Sequence, residues 1–249
     1  MTKDGGRRIA TANGAILADA ARLGGLLESA GDAIFDPNFW SAPSQRSAVS
    51  AGRGRGAAWF LESGAHRWVL RHYRRGGFMA RISADRYLWT GERRVRAFTE
   101  YRLLARLMDL GLPVPRPLAA RYRRAGWSYR CDLITQRIEG AQPLSARLAA
   151  CALGEAIWRD VGSLIARLHR AGVDHADLNA HNILLDGEGT ISVIDFDRGR
   201  MRAPGRWPMR NLRRLNRSLA KISRDLPPDR FSPRDWEWLL AGYASAAGP

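Results

Sequence analysis

Two short apolar runs, Ile183-Leu184-Leu185 and Ile191-Ser192-Val193-Ile194, are separated by Asp186-Gly187-Glu188-Gly189. Runs of this length, rich in β-branched residues and joined by an Asp/Gly turn, specify a hairpin. Antiparallel pairing brings the outer ends of a hairpin together. At those ends stand Asn182, which enters the first strand, and Asp195, which leaves the second. The chain is therefore committed to a local geometry in which two oxygen-bearing side chains, distant along the backbone, share one end of a small sheet. Just upstream, His175, Asp177, Leu178 and Asn182 fill H-x-D-L-x-x-x-N, and Asp195-Phe196 opens a D-F pair. Turn-capping Asp and Asn residues beside an ordinary hairpin would account for each position separately. They do not account for the two motifs being coupled through the hairpin.

The residue types suit phosphoryl transfer. That reaction passes through a loose transition state, so a catalyst mainly aligns the nucleophile and neutralises phosphate charge. Asp177 is the candidate catalytic residue, placed to orient and deprotonate an acceptor hydroxyl. Asn182 and Asp195 are candidate metal ligands. An amide oxygen and a carboxylate are hard donors of the kind Mg²⁺ takes while it keeps waters and phosphate oxygens. His175 reads as a hydrogen-bonding residue of the loop rather than as a base.

At 249 residues, 45% of them hydrophobic and nine of them tryptophan, the chain can bury one large core or two lobes. Residues 1–15 lack a basic start followed by an apolar core, and no run reaches the length of a membrane span, so a cytoplasmic protein is expected. Cys131 and Cys151 have no metal-ligand spacing and read as buried free thiols. The net charge of +16 comes almost entirely from arginine, a residue suited to phosphate and carboxylate. It points to an anionic partner (nucleic acid, a lipid surface or a phosphorylated sugar) or to a solvated basic surface with none.

Upstream of the motif the pattern is strand-rich. Ile16-Leu17 precedes a short helix over Ala20–Ala30, and residues 35–40 form an aromatic anchor. Gly52-Arg53-Gly54-Arg55-Gly56 leads into a strand at 57–61. Gly52, Gly54 and Gly56 would let backbone amides approach a nucleotide's phosphates, although a basic linker or an RNA-binding segment has the same composition. The next strand, 67–73, turns Trp68, Leu70 and His72 one way and Val69, Arg71 and Tyr73 the other. Arg71 is the candidate phosphate-binding cation, and Glu100, on a helix over 92–110, its carboxylate partner or an exposed helix glutamate. Two strands, 118–124 and 128–138, complete the sheet, with 135–140 as a hinge. Beyond it come a short helix at 145–153 and an amphipathic one at 155–171. Between Arg198 and Arg224 ten Arg or Lys residues stand with no acidic one. Within that stretch 209–222 has helical spacing, either to lie on anionic headgroups or as a core helix with a solvated basic side. A last helix covers 235–247.

Taken together, GRGRG, LRHYRRGG, DRYLWTG, GLPVPRP, HADLNAHNILL, DFD and NLRRLNRS resemble the bacterial 3-deoxy-D-manno-octulosonic acid (Kdo) kinases of the lipopolysaccharide kinase family, a branch of the protein-kinase-like fold. The resemblance implies an α+β bilobal architecture, a small antiparallel-sheet lobe over 1–138 and a mainly helical lobe over 139–249. It implies ATP as donor, Mg²⁺ as cofactor, and the 4-hydroxyl of a Kdo residue on a lipid A precursor as acceptor in lipopolysaccharide core assembly. It also implies Asp177 as the active-site residue, with Arg71 and Glu100 at the strand-helix ion pair by position. The expected location is peripheral, on the anionic cytoplasmic face of the inner membrane, with no nucleic acid partner. Ala176 replaces the arginine that protein kinases use to bind a phosphorylated activation loop. Asp197 replaces the glycine of D-F-G, A-P-E is absent, and 52 residues follow Asp197, too few for a peptide-binding region. A small or lipid-linked acceptor is expected. Two other readings remain: a heptose kinase of the same family, and an arginine-rich nucleic-acid-binding or scaffold protein with a silent kinase-like fold.

Overall fold

The computed structural model describes residues 6–40, 49–51, 58–74 and 85–248. The chain forms two compact units. One comprises Met1–Arg106 and Pro115–Arg137, the other Leu107–Val114 and Ile138–Pro249.

The first unit is built on an antiparallel sheet. Its elements in chain order are β1 (Arg7–Thr11), β2 (Gly14–Ala18), α1 (Ala20–Ala30), α2 (Pro37–Trp40), β3 (Val49–Ala51), β4 (Ala58–Ser63), β5 (His66–His72), β6 (Tyr87–Leu88), α3 (Arg96–Asp109), β7 (Pro117–Ala125) and β8 (Ser128–Gln136). The strands lie in the order β1-β2-β7-β8-β5-β4-β3, and β6 also pairs with β8. β1 is thus an edge strand. Gly14 lets β2 approach β7, because a Cβ there would come within 2.0 Å of the Tyr122 carbonyl oxygen. The alternation expected for β5 holds: Trp68 and Leu70 join Ile34, Phe35, Trp40 and Ile134 in one apolar cluster. The Trp40 indole donates to the Ile34 carbonyl at 2.8 Å, so the aromatic anchor is both packed and hydrogen-bonded. Within α1, Gly24 has φ 46° and interrupts the helical dihedrals, a kink that only a residue without a Cβ makes cheaply. Residues 52–57 are outside the described residues, so the expectation for Gly52, Gly54 and Gly56 has no structural counterpart.

The second unit contains β9 (Gln142–Pro143), α4 (Leu144–Ala150), α5 (Glu155–Arg170), β10 (Val173–Asp174), β11 (Ile183–Leu185), β12 (Ile191–Val193), β13 (Arg200–Met201), α6 (Trp207–Ser223) and α7 (Pro233–Ala247). α5 buries Trp158, Val161, Leu164, Ile165 and Leu168. It crosses α7 at backbone contact: a Cβ on Gly162 would lie 2.0 Å from the Leu239 carbonyl oxygen, and one on Gly242 would lie 2.1 Å from that of Arg159. α7 starts with a reciprocal Ser232–Asp235 capping box. The hairpin forms as expected, with Ile183 opposite Val193 and Leu185 opposite Ile191, and β9 extends it on the other side of β11. One expectation fails. Cys131 is buried but Cys151 is exposed, because it lies at the C-terminal cap of α4, outside any apolar stripe.

Candidate active site

In the second unit the site begins with a turn. Gly172, at φ 76°, ends the run from α5 and feeds β10, which pairs with β13. Asp174 is fully buried there. Its carboxylate accepts from Arg202 Nη1, Arg210 Nη2 and Asn211 Nδ2, each at 3.0 Å. Burial pushes its pKa up, but the Asn211 and Arg202 hydrogen bonds and the charges of Arg210 and Arg202 outweigh it and hold the carboxyl below its ordinary value.

His175 ties the loop to the hairpin. Its Nδ1 accepts the Asp177 backbone N–H at 3.3 Å, and its Nε2–H donates to the Ile194 carbonyl at 2.9 Å. A ring with one accepting and one donating nitrogen is neutral. Burial accordingly lowers its pKa. The ring also packs against Phe196, centroids 4.6 Å apart. This is the hydrogen-bonding role expected of His175.

Asp177, Asn182 and Asp195 occupy this same framework. Asn182 Nδ2 donates to the Asp177 carbonyl oxygen at 3.0 Å, which turns the amide oxygen away as an acceptor. The Ile194 N–H donates to the Asn182 carbonyl at 2.9 Å and extends the hairpin ladder by one residue, so that Ile194 stands opposite Asn182 and Asp195 is the next residue along. Asp195 has φ 65°, the one positive φ at a non-glycine residue among those described. A non-glycine residue held in the left-handed region carries a cost of order 1–3 kcal/mol, and such residues cluster at functional sites. Here the Ile194 hydrogen bond on one side and buried Phe196 on the other fix it. Among the described residues no group of three or more His, Cys, Asp and Glu converges as a self-sufficient cation site. The amide and carboxylate at the hairpin end instead fit Mg²⁺, which takes only one or two protein donors when phosphates supply the rest.

The Asp177 carboxylate reaches outward and is 53% exposed, and Oδ1 accepts from Arg214 Nη1 at 2.5 Å. Arg214 was not among the residues singled out from sequence. It belongs to a stripe on α6. Asn211 Oδ1 accepts the His175 N–H at 3.1 Å, Arg214 pairs with Asp177, and Ser218 Oγ accepts the Ala180 N–H at 3.2 Å. Positions 211, 214 and 218 share one helical face, and each immediately precedes a buried leucine, Leu212, Leu215 or Leu219. That pairing of a polar residue with each core leucine, at spacings of three and four, marks one face of the helix in the sequence, but not the segment which that face meets. His169 backs the stripe: Nε2–H donates to Asn211 Oδ1 at 3.3 Å, and Nδ1 accepts from the Tyr243 hydroxyl at 2.9 Å. Burial lowers the His169 pKa to about 4.

In the first unit Arg71 and Glu100 are joined by an ion pair. The Tyr73 hydroxyl donates to Glu100 at 2.5 Å and accepts from Arg71 Nη2 at 3.0 Å. Glu100 is 2% exposed, not the exposed helix glutamate of the alternative reading. The opposite face of β5 carries a network that the sequence did not reveal. His72 Nδ1 lies 2.5 Å from Asp132, and Arg121 bridges Asp132 at 2.7 Å to Asp32 at 2.9 Å. Arg121 also lies over the Phe35 ring, 4.6 Å from its centroid. These contacts fasten the segment after α1 to the sheet.

Comparison with known proteins adds an independent line. A family model described as the lipopolysaccharide kinase (Kdo/WaaP) family matches residues 38–243. A 3-deoxy-D-manno-octulosonic acid kinase of Stenotrophomonas maltophilia is 50% identical over 210 residues, 84% of this chain and 81% of the relative. One from Xanthomonas campestris pv. campestris is 47% identical over 236 residues, covering 94% and 91%.

Proposed function

The chain belongs to the lipopolysaccharide kinase (Kdo/WaaP) family, and on that premise we propose that it phosphorylates the 4-hydroxyl of a Kdo residue on a lipid A precursor, with ATP as donor. The observation that carries this reading is the clamp of His175, Asp177 and Asn182 onto the hairpin end at Asp195. It is supported by relatives of about half identity that are named for the same acid sugar.

In the reaction the acceptor hydroxyl oxygen forms a bond to the γ-phosphorus as the bond from that phosphorus to the β,γ-bridging oxygen breaks. ADP leaves with the electron pair, and the hydroxyl proton passes to Asp177. The half-exposed carboxylate of Asp177, anchored at its backbone by His175 and Asn182, aims at an acceptor approaching from solvent. Asn182 and Asp195 would hold Mg²⁺, which neutralises charge on the phosphates when bound. Arg71, braced by Glu100 and Tyr73, engages phosphate oxygens of the nucleotide. Gly52, Gly54 and Gly56, whose role is read from sequence alone, would bind the nucleotide's phosphates through backbone amides.

Among the described residues no helix is long and apolar enough to cross a membrane. The exposed arginines of α6 and the net charge of +16 would hold the enzyme peripherally at the anionic cytoplasmic face of the inner membrane. The test is incubation with labelled ATP and Mg²⁺ beside Kdo-bearing acceptors with and without heptose. Label is expected in the heptose-free acceptor. Label confined to heptose-bearing acceptors, or to protein, overturns the assignment.

A further inference from the structure

We propose that Arg214 is a substrate-positioning residue that grips the carboxylate of the acid-sugar acceptor while steadying the carboxylate of Asp177. The inference rests on the Kdo kinase reading above.

The loop does not need Arg214 to hold its shape. His175 N–H to Asn211, Ala180 N–H to Ser218, and the two ring bonds of His175 fix its main chain already. Among the described residues Arg214 instead hydrogen-bonds the tip of Asp177, in a pair whose side chains are 47% and 53% exposed. A pair exposed to that extent contributes little to stability. As architecture, then, the contact achieves almost nothing, yet it sits on the one carboxylate that the chemistry uses.

The geometry of the pair leaves both partners partly unspent. A guanidinium has five N–H donors in a planar fork, and a single Nη1 donates to Asp177 Oδ1. Oδ2 of Asp177 stays available to an acceptor hydroxyl, and the remaining donors of Arg214 lie immediately beside it. A hydroxyl that reaches Asp177 therefore brings the rest of its sugar ring against Arg214. The relatives' substrate is an acid, so that ring bears a carboxylate within one ring's width of its hydroxyls. Arginine matches a carboxylate bidentately. Other arginines of α6 do not offer this. Arg210 is committed to buried Asp174 at 3.0 Å, and of the α6 arginines it is Arg214 that meets Asp177. The nucleotide's terminal phosphate is the competing anion for Arg214. Direct contact with the acceptor-activating carboxylate favours the sugar acid.

The experiment compares two acceptors, the Kdo-bearing lipid A precursor and the same compound with its Kdo carboxyl methyl-esterified, in the wild type, Arg214→Ala and Arg214→Lys. The wild type should use the acid about 10- to 100-fold better by kcat/KM, the range of one charge-assisted pair. Arg214→Ala should lose that preference by falling further on the acid than on the ester, the excess on the acid appearing chiefly as raised acceptor KM, and Arg214→Lys should keep part of it. A wild type that uses acid and ester equally well overturns the inference while leaving the Kdo kinase reading intact, and that arm needs no variant to fold. So does an Arg214→Ala enzyme that falls by the same factor on both acceptors, or one whose change lies in the KM for ATP. A wild type inactive on both acceptors overturns the Kdo kinase reading itself, and this inference with it.

Discussion

Arg71 with Glu100 and Arg214 with Asp177 are the same chemical pair in two settings. In the first, Glu100 is 3% exposed at its side chain and Arg71 23%, and Tyr73 supplies a further hydrogen bond to the carboxylate. In the second, both side chains are about half in solvent. Burial makes the first pair hard to break, since an unpartnered charge left behind is costly. Exposure makes the second exchangeable, since water or a ligand can replace either partner cheaply. A fixed cation suits a nucleotide bound the same way in every turnover. An exchangeable one suits an acceptor that must arrive, react and leave.

The comparison breaks most sharply at Asp177. Asp177→Ala should lower turnover about 10²- to 10⁴-fold, the usual worth of a positioned base, while thermal melting stays near the wild type. Coupled ADP-release kinetics beside a melting curve measures both. Glu100→Ala should do the reverse in kind, costing about 3 kcal/mol of stability in urea denaturation because Arg71 is left without its buried partner. If its melting is unchanged, the two pairs are not different in the way described.

The buried polar groups also set the response to acid. His169 has its pKa lowered to about 4 by burial, so between roughly pH 6.5 and 4 the unfolded chain binds a proton that the folded one does not. Stability therefore falls as pH drops through that window, by up to about 3 kcal/mol from this residue. His175, also lowered by burial, acts in the same direction. Denaturation midpoints measured across the window should decline, and His169→Gln should flatten the slope. The smallest effect belongs to the exposed pair: Arg214→Ala should shift stability by under about 1 kcal/mol, and any shift should shrink with added salt.

Local features were the legible ones. The hairpin, the sequence of helices, the alternation of β5 and the convergence of Asn182 with the Asp177 backbone all follow from period, turn residues and short-range pairing. The partners of Arg71 and Glu100 were also accessible, because a strand position and a helix position can be matched by face. Arg214 was not, since its contact with Asp177 spans 37 positions and depends on how α6 packs against the loop, which hydrophobic periodicity alone does not orient. Asp174 is a similar case. Nothing in its sequence neighbourhood shows that one aspartate will be buried among Arg202, Arg210 and Asn211. The His72, Asp132 and Arg121 network was hidden for the same reason: it joins three strands to the turn after α1. The helix expected over Ala20–Ala30 forms with a kink at Gly24, which periodicity does not mark.

The account stands most directly on acceptor mass spectrometry. A lipid A precursor carrying Kdo, incubated with ATP and Mg²⁺, should gain the mass of one phosphate with the wild-type chain and at least about 10²-fold less of that product in the same time with Asp177→Ala. No gain with the wild type, or an equal gain with the variant, would contradict it.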